Sequence, residues 1–517
     1  MMASFTFAPL TPAAFLHRSA RVFPDRVAVV DGSRQWTYRE FARRCDALRG
    51  ALAALGIGAQ DRVAALCANS HVMLELHHAI PAYGAVLVPI NTRLAQAEMS
   101  FIVEHSGASL LVATAEFAEV ASAVAAHTRV RLVVAGDEYE SLLAAAPSPT
   151  NEEIDERQLL AINYTSGTTG RPKGVMYHHR GAYLQALAMC YHAGLGPDTR
   201  YLWTLPMFHC DGWCFTWAVT AAGGTHFCLR SIDVDEIWRR LNTDGITHLS
   251  AAPTVLTMIA EGAALPAGRS VHVDTGGAPP SPSLLARLDR LGLRVTHLYG
   301  LTETFGPIVI NEWQAHWDDL PPEQQARLRA RQGVSNIVAL PLRVLDPAGQ
   351  DVPADGETIG ELAAKGNDVM LGYYRDQDAT DAVTSGDGWL LTGDLGVMHP
   401  DGYVEIRDRR KDIIISGGEN IASVEVEQAL DSHPDVLESA VVGVSDPQWG
   451  EIPIAYVRTR PGAAVDPAAL AAHVRARIAG FKTPREFIFT DLPKTSTGKI
   501  QKNLLRSRAA EHRNGSR

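Results

Sequence analysis

At 517 residues the chain is too long for one compact core, so at least two domains are expected. A formal net charge of −11 argues against nucleic acid or an anionic membrane surface as the main partner, and 46% hydrophobic with 20% charged residues is the balance of an ordinary soluble globular enzyme. Six cysteines are too few for a disulfide scaffold, residues 1–21 lack a basic segment leading into a secretory apolar core, and no apolar run is long enough for an integral membrane segment, so a reducing, cytoplasmic setting is expected.

Thr37 and Glu40 have capping-box spacing, and Phe41, Cys45, Leu48, Leu52 and Leu55 recur at helical intervals until Gly56, which predicts an amphipathic helix. Short apolar runs at 63–66, 85–89 and 110–113 alternate with longer helical patterns, as in crossover units whose parallel strands are covered by helices. The run 159–162 then reads as a strand feeding Tyr164-Thr165-Ser166-Gly167-Thr168-Thr169-Gly170-Arg171-Pro172-Lys173-Gly174. Glycines let backbone N–H groups approach phosphate oxygens, hydroxyls add neutral donors, and Lys173 adds a compact cation. The spacing is not that of the ATPase and GTPase phosphate loop, so a different nucleotide chemistry is implied; a polar surface turn is the plain alternative.

Residues 162–301 again alternate apolar runs with helical patterns, and their motifs fall at strand ends, where open α/β sheets carry ligands. His209, Cys210 and Cys214 lack the second paired cluster that zinc would need and read as buried thiols beside a functional histidine. From about 333 to 410 short strands between Gly, Pro and Asp turns predict a β-rich subdomain that completes a large domain, 1–410. The charged junction 408–412 then opens a small C-terminal α/β domain, 411–517.

The loop at 164–174 resembles the signature of the adenylate-forming superfamily, which includes acyl-CoA synthetases, peptide-synthetase adenylation domains and firefly-type luciferases. The family order continues through Gly276-Gly277-Ala278-Pro279-Pro280, Tyr299-Gly300-Leu301-Thr302-Glu303, Thr392-Gly393-Asp394, Arg409-Arg410-Lys411-Asp412, Ser416-Gly417-Gly418-Glu419-Asn420 and Pro493-Lys494-Thr495-Ser496-Thr497-Gly498-Lys499. The chain is accordingly identified as a member of that superfamily, with parallel sheets covered by helices and a mobile C-terminal domain as the implied fold.

The resemblance implies a carboxylate attacking the α-phosphate of ATP, then a thiol, CoA, taking the acyl group. Thr165 to Lys173, including Ser166, Gly167, Thr168 and Thr169, would hold the β- and γ-phosphates. Thr302 would approach the α-phosphate, and Glu303 would ligate Mg²⁺. Gly277, Ala278, Pro279, Tyr299 and Gly300 would form the adenine slot, and Asp394, assisted by Arg409, would take the ribose hydroxyls. Lys499 would be the catalytic lysine, Lys411 the hinge, and Gly417 and Gly418 the passage for pantetheine. A carboxylic acid is already ionised at neutral pH, so no general base is needed; N–H groups, hydroxyls, Mg²⁺ and lysines are the right inventory for bringing two anions together.

In the same register His209 would line the acid entrance, with Trp213, Phe215 and Trp217 forming an apolar acyl pocket. This stretch and His178 to Tyr183 resemble the branch that takes short-chain, medium-chain or unusual acids. It departs from that branch at Asp211, often Asn there, and a carboxylate beside the pocket would repel an acid unless paired. An amino acid substrate is disfavoured. Rival readings are an adenylating enzyme serving a carrier protein or partner ligase and, from another class, a non-catalytic acyl-nucleotide sensor, which Lys499, Glu303 and Asp394 argue against. A homodimer is left open.

Overall fold

The computed structural model describes residues 7–148, 154–165, 172–262, 264–277, 280, 282–463, 465–495 and 499–515. Among them, strands Arg62–Leu66, Val86–Pro89, Ala108–Ala113, Arg131–Val134 and Leu159–Thr165 run parallel in a six-stranded sheet, closed at one edge by antiparallel Lys173–His178. Val86–Pro89 is buried along its whole length, as a strand covered on both faces must be, which is why it reads as an unbroken apolar run. A nine-stranded sheet has six parallel strands, in the order Val27–Asp31, Thr225–Cys228, Arg200–Leu202, His248–Ala251, Val271–Thr275 and Leu293–Leu301. Antiparallel strands flank them at both edges.

The two sheets share one core. Tyr38–Ala54, capped by Thr37 and Glu40 as their spacing predicts, sends Phe41, Cys45, Leu48 and Leu52 inward. It meets Val63, Leu87 and Leu160 from the first sheet and Val29, Tyr201 and Leu298 from the second in the same buried cluster. Helix His71–Tyr83 lies wholly inside, so even its polar residues, His77 among them, are buried.

Beyond it, Arg343–Leu345, Gly360–Ala364, Leu390–Met398 and Val404–Arg409 make a four-stranded antiparallel sheet. A five-stranded sheet follows, centred on the long hairpin Val436–Asp446 and Gly450–Thr459 and packed with helices Ser423–Asp431, Pro467–Arg475 and Lys502–Gly515. The architecture is mixed α/β, with a large N-terminal domain of parallel sheets and a C-terminal domain. No helix among the described residues is long and apolar enough to cross a membrane.

Candidate active site

The antiparallel pairing of Leu159–Thr165 with Lys173–His178 sets Thr165, just before the glycine-rich segment, opposite Lys173. Ser166, Gly167, Thr168 and Thr169 lie outside the described residues, as do Ala278 and Pro279. Lys173 Nζ stands 4.7 Å from the centre of the Tyr373 ring, and Tyr373 OH donates to Glu303 Oε1 at 2.7 Å. Burial and the Glu303 charge push the Tyr373 phenol up, so it remains a donor. One tyrosine thus joins the cation of the loop to the carboxylate expected at the metal. Sequence reasoning missed it, because Tyr373 sits outside every motif and 70 residues beyond Glu303.

Thr302 opens the short 3₁₀ turn Thr302–Thr304 at the end of strand Leu293–Leu301. Thr304 Oγ1 accepts from Leu301 N, and Tyr177 OH donates to the Thr302 carbonyl at 2.6 Å, so the turn is held from both sides. Gly300 is needed one step earlier: a Cβ there would fall 1.8 Å from the Gly306 carbonyl oxygen, where the two strands shift register. Gly277 has φ +89 with open space at its Cβ position, so its backbone conformation is what calls for glycine.

Tyr299 OH donates to Asp394 Oδ2 at 2.7 Å while Arg409 Nε pairs with Asp394 Oδ1 at 3.2 Å. Asp394 and Arg409 face each other across neighbouring strands, which fixes the pair. Burial, then Asp394, raises the Tyr299 phenol. Asp394 is the shared acceptor of this group.

Residues 210–214 form a left-handed turn. Cys210, Asp211, Gly212, Trp213 and Cys214 all have positive φ, between 49° and 63°. For residues with a Cβ this conformation costs roughly 1–2 kcal/mol each, so surrounding contacts must hold it. Asp211 is fully buried and accepts from Asn163 Nδ2 at 3.0 Å, with His77 Nε2 3.3 Å from its other oxygen. One carboxylate oxygen is thus hydrogen-bonded to Asn163 and the other faces the His77 ring, so the group is buried among polar neighbours. Trp213 is packed so closely that a Cβ on Gly276 would lie 3.3 Å, and one on Gly306 3.1 Å, from its atoms. Cys210 Sγ is 3.7 Å from Thr302 Oγ1 and 3.8 Å from His209 Nε2. Burial raises the Cys210 thiol to about 12, so it is an inert neighbour rather than a nucleophile. Phe215 and Trp217 sit deeper: Phe215 stacks on Tyr201, and Trp217 Nε1 donates to the His77 carbonyl, both rings fully buried in the core.

From the C-terminal domain comes Lys499, in a loop closed by Thr495 N donating to its carbonyl at 2.7 Å. Burial, then Arg409 and Lys411, pull its ammonium down to about 7 against the opposing pull of Asp394 and Asp412. Burial and Lys499 together lower His209 to about 4, so the imidazole is neutral at physiological pH. Lys499, His209, Asp394 and Arg409 thus belong to one electrostatic neighbourhood, although Asp394 lies on a strand of the four-stranded sheet and Lys499 outside the strands of the C-terminal one. Lys411 sits in the exposed turn between the sheets, where Asp412 N donates to the Arg409 carbonyl. Next to it, buried Asp408 accepts from Ser423 N and, at 2.7 Å, from Ser423 Oγ, while Lys502 Nζ donates to that hydroxyl at 2.6 Å and pairs with Glu427 at 2.7 Å. Gly417 and Gly418, with φ +62 and +87, make the two-residue hairpin turn between Ile414–Ser416 and Glu419–Ile421 and are exposed. The structure brings Lys499 to the strand ends and leaves these two glycines at the surface.

Comparison with known proteins gives the family. Residues 16–374 match the AMP-binding enzyme family and residues 425–499 its C-terminal domain. A peroxisomal acetate/butyrate–CoA ligase of Arabidopsis thaliana is 42% identical over 98% of this chain and 95% of its own, and an acetate–CoA ligase of Humulus lupulus is 42% identical with the same coverage. Among solved structures, o-succinylbenzoate CoA synthetase from Bacillus subtilis, bound to its acyl-adenylate, superposes with a TM-score of 0.84 at 29% identity, covering 97% of this chain and 99% of that one. The chain belongs to the AMP-binding enzyme family, the adenylate-forming superfamily. It is an acyl-CoA synthetase, an acid:CoA ligase that uses ATP and proceeds through an acyl-AMP.

Proposed function

We propose that the acid is a short-chain aliphatic monocarboxylate and that the residues gathered around Lys499 carry out its adenylation. The convergence of Lys499 with Asp394, Arg409 and His209 beside Thr302 carries this reading, and the names of the relatives at 42% identity support the acid class. Thr165 and Lys173 hold the terminal phosphates with the intervening loop. Thr302 and Lys499 approach the α-phosphate and the attacking carboxylate, where a positioned cation lowers the repulsion between two anions. Asp394 takes the ribose and Tyr299 borders the adenine. His209, neutral, and Trp213 border the acid.

Glu303 is the residue that would hold Mg²⁺. Among the described residues no group of three metal-ligating side chains gathers, and one hard carboxylate held by Tyr373 suits an ion that keeps waters and phosphate oxygens as its other ligands. When bound, Mg²⁺ supplies neutralisation of phosphate charge. For the second step we take Lys411 as the hinge, with rotation withdrawing Lys499 and bringing the Gly417–Gly418 turn to the site for CoA. A cytoplasmic enzyme is proposed, in keeping with six free thiols.

The test is ATP with a panel of acids from acetate to octanoate and benzoate, following pyrophosphate and acyl-CoA together. Acetate to butyrate should give the highest kcat/KM, with both products equal. Pyrophosphate without acyl-CoA would turn the reading towards a carrier protein or partner ligase as acceptor, and a preference for octanoate or benzoate would overturn the acid class.

A further inference from the structure

We propose that Asp211 is a positioning residue that sets the acid-binding wall: its buried carboxylate, held by Asn163 and set against His77, fixes the left-handed turn 210–214 and through it decides which acids are accepted. The inference rests on the reading that His209 and Trp213 border the acid.

A left-handed turn of non-glycine residues does not hold itself. Within this one, the backbone supplies Gly212 N to the His209 carbonyl at 2.9 Å and a long Cys214 N to Cys210 carbonyl contact at 3.3 Å. The Cys214 carbonyl accepts from Trp217 N and Ala218 N at the start of the next helix, and further anchors start from Asp211. Its carboxylate reaches Asn163 in strand Leu159–Thr165 and lies 3.3 Å from His77 in helix His71–Tyr83, and its carbonyl accepts from Thr216 Oγ1 at 3.0 Å. Both Asp211 and His77 side chains are wholly shielded from solvent. Among the described residues, His77 Nε2 and Asp211 Oδ1 have no hydrogen-bond partner, and they face each other at 3.3 Å. A buried carboxylate deprived of such neighbours would move towards water.

The turn has no slack in which to absorb that movement. A Cβ on Gly212 would fall 2.5 Å from the Trp203 ring, and Trp213 is already against Gly276 and Gly306. Any roll of the turn therefore displaces Trp213 against the Gly276 loop and shifts Cys210 and His209 relative to Thr302. Asn163 stands two residues before Thr165, so the same anchor ties the acid wall to the phosphate hairpin.

Acid-dependent pyrophosphate exchange across the acid panel tests this. Asp211→Ala should raise the KM for the preferred acid by about tenfold or more and flatten the ranking of acids, as expected when a pocket wall loosens by about a methylene. KM for ATP should change less than about twofold. Asp211→Asn, which can still accept from Asn163 and donate to His77, should restore most of the preference. Should Asp211→Ala not fold, Asn163→Ser, which removes one anchor only, should give a smaller change with the same split. Equal loss of kcat for every acid with acid KM and ranking unmoved, in either variant, would overturn the proposal. Absence of acid-dependent exchange in the unmodified enzyme would instead overturn the reading of function on which it rests.

Discussion

The nucleotide half of the site and the half that carries Lys499 are held by different physics. Tyr299, Asp394 and Tyr177 are fastened by short hydrogen bonds from buried groups on sheet strands, and Gly300 and Gly306 let those strands touch. Such a lattice is pre-organised, and removing any member leaves a buried partner unsatisfied. Lys499 sits in a loop of a separate small sheet, joined to the large domain by Asp408 with Ser423 and by side chains around the exposed turn at Lys411. When the two domains part, polar groups of that kind can take water as partner, whereas an apolar interface would expose hydrophobic surface. The proposed presentation of Lys499 in one step and its withdrawal in the next would draw on this inequality.

The contrast is broken most strongly at Lys499. Lys499→Ala should slow acyl-AMP formation by roughly 10²–10³-fold, the scale for loss of one transition-state charge partner. Thioester formation from supplied acyl-AMP and CoA should be spared, and the melting temperature should stay within a few degrees. Equal loss in both half-reactions would mean that Lys499 is not confined to the first. On the rigid side, Tyr299→Phe should raise KM for ATP by about tenfold, because Asp394 loses a charged hydrogen bond worth roughly 1.5–3 kcal/mol. Unlike Lys499→Ala, it should weaken both half-reactions, since the nucleotide is held in each.

How much of this was legible beforehand follows the range of the interactions. Thr37 with Glu40, and Gly417 with Gly418, act over two to four residues, and their structures follow from local backbone chemistry. The motif residues Thr302, Asp394, Arg409 and Lys499 were recognisable by family order, although nothing in their own spacing would assemble them. Tyr373 bridging Lys173 to Glu303 carried no signal, because it depends on three segments folding together. The turn 210–214 could not be read either: Cys, Asp, Trp and Cys are poor candidates for positive φ, and a partner as distant as Asn163 helps to hold it. Phe215 and Trp217 look like Trp213 in sequence, yet helix Phe215–Ala222 turns them into the core.

A smaller effect is expected at the domain junction. Ser423→Ala removes the hydroxyl that donates to Asp408 and accepts from Lys502, loosening the contact that keeps Lys499 docked. Adenylation should fall a few-fold while thioester formation from supplied acyl-AMP holds or rises, the scale of one hydrogen bond. Measuring the ratio of the two rates removes any common loss of folded enzyme. An unchanged ratio would show that the junction does not bias the exchange.

The smallest effect is on pH dependence. Docked Lys499 is drawn down to about 7, well below an ordinary lysine, so it binds its proton less tightly there than in water. Docking then releases a proton, and by linkage the docked state gains as pH rises from about 7 towards the ordinary lysine value near 10.4. Catalysis runs the other way, since the charged ammonium is the form that steadies phosphate and carboxylate. The ratio kcat/KM for ATP reports the free enzyme, so it should fall as pH passes about 7, where the ammonium loses its proton, by a few-fold within about the first half unit. Bound nucleotide adds negative charge that restores the proton, and kcat should hold to higher pH. His209, lowered to about 4, is neutral throughout this window and does not contribute. Lys499→Arg keeps its charge at every accessible pH, so it should lose the inflection even at a reduced rate. Persistence of the inflection in that variant would assign the titration to a group other than Lys499.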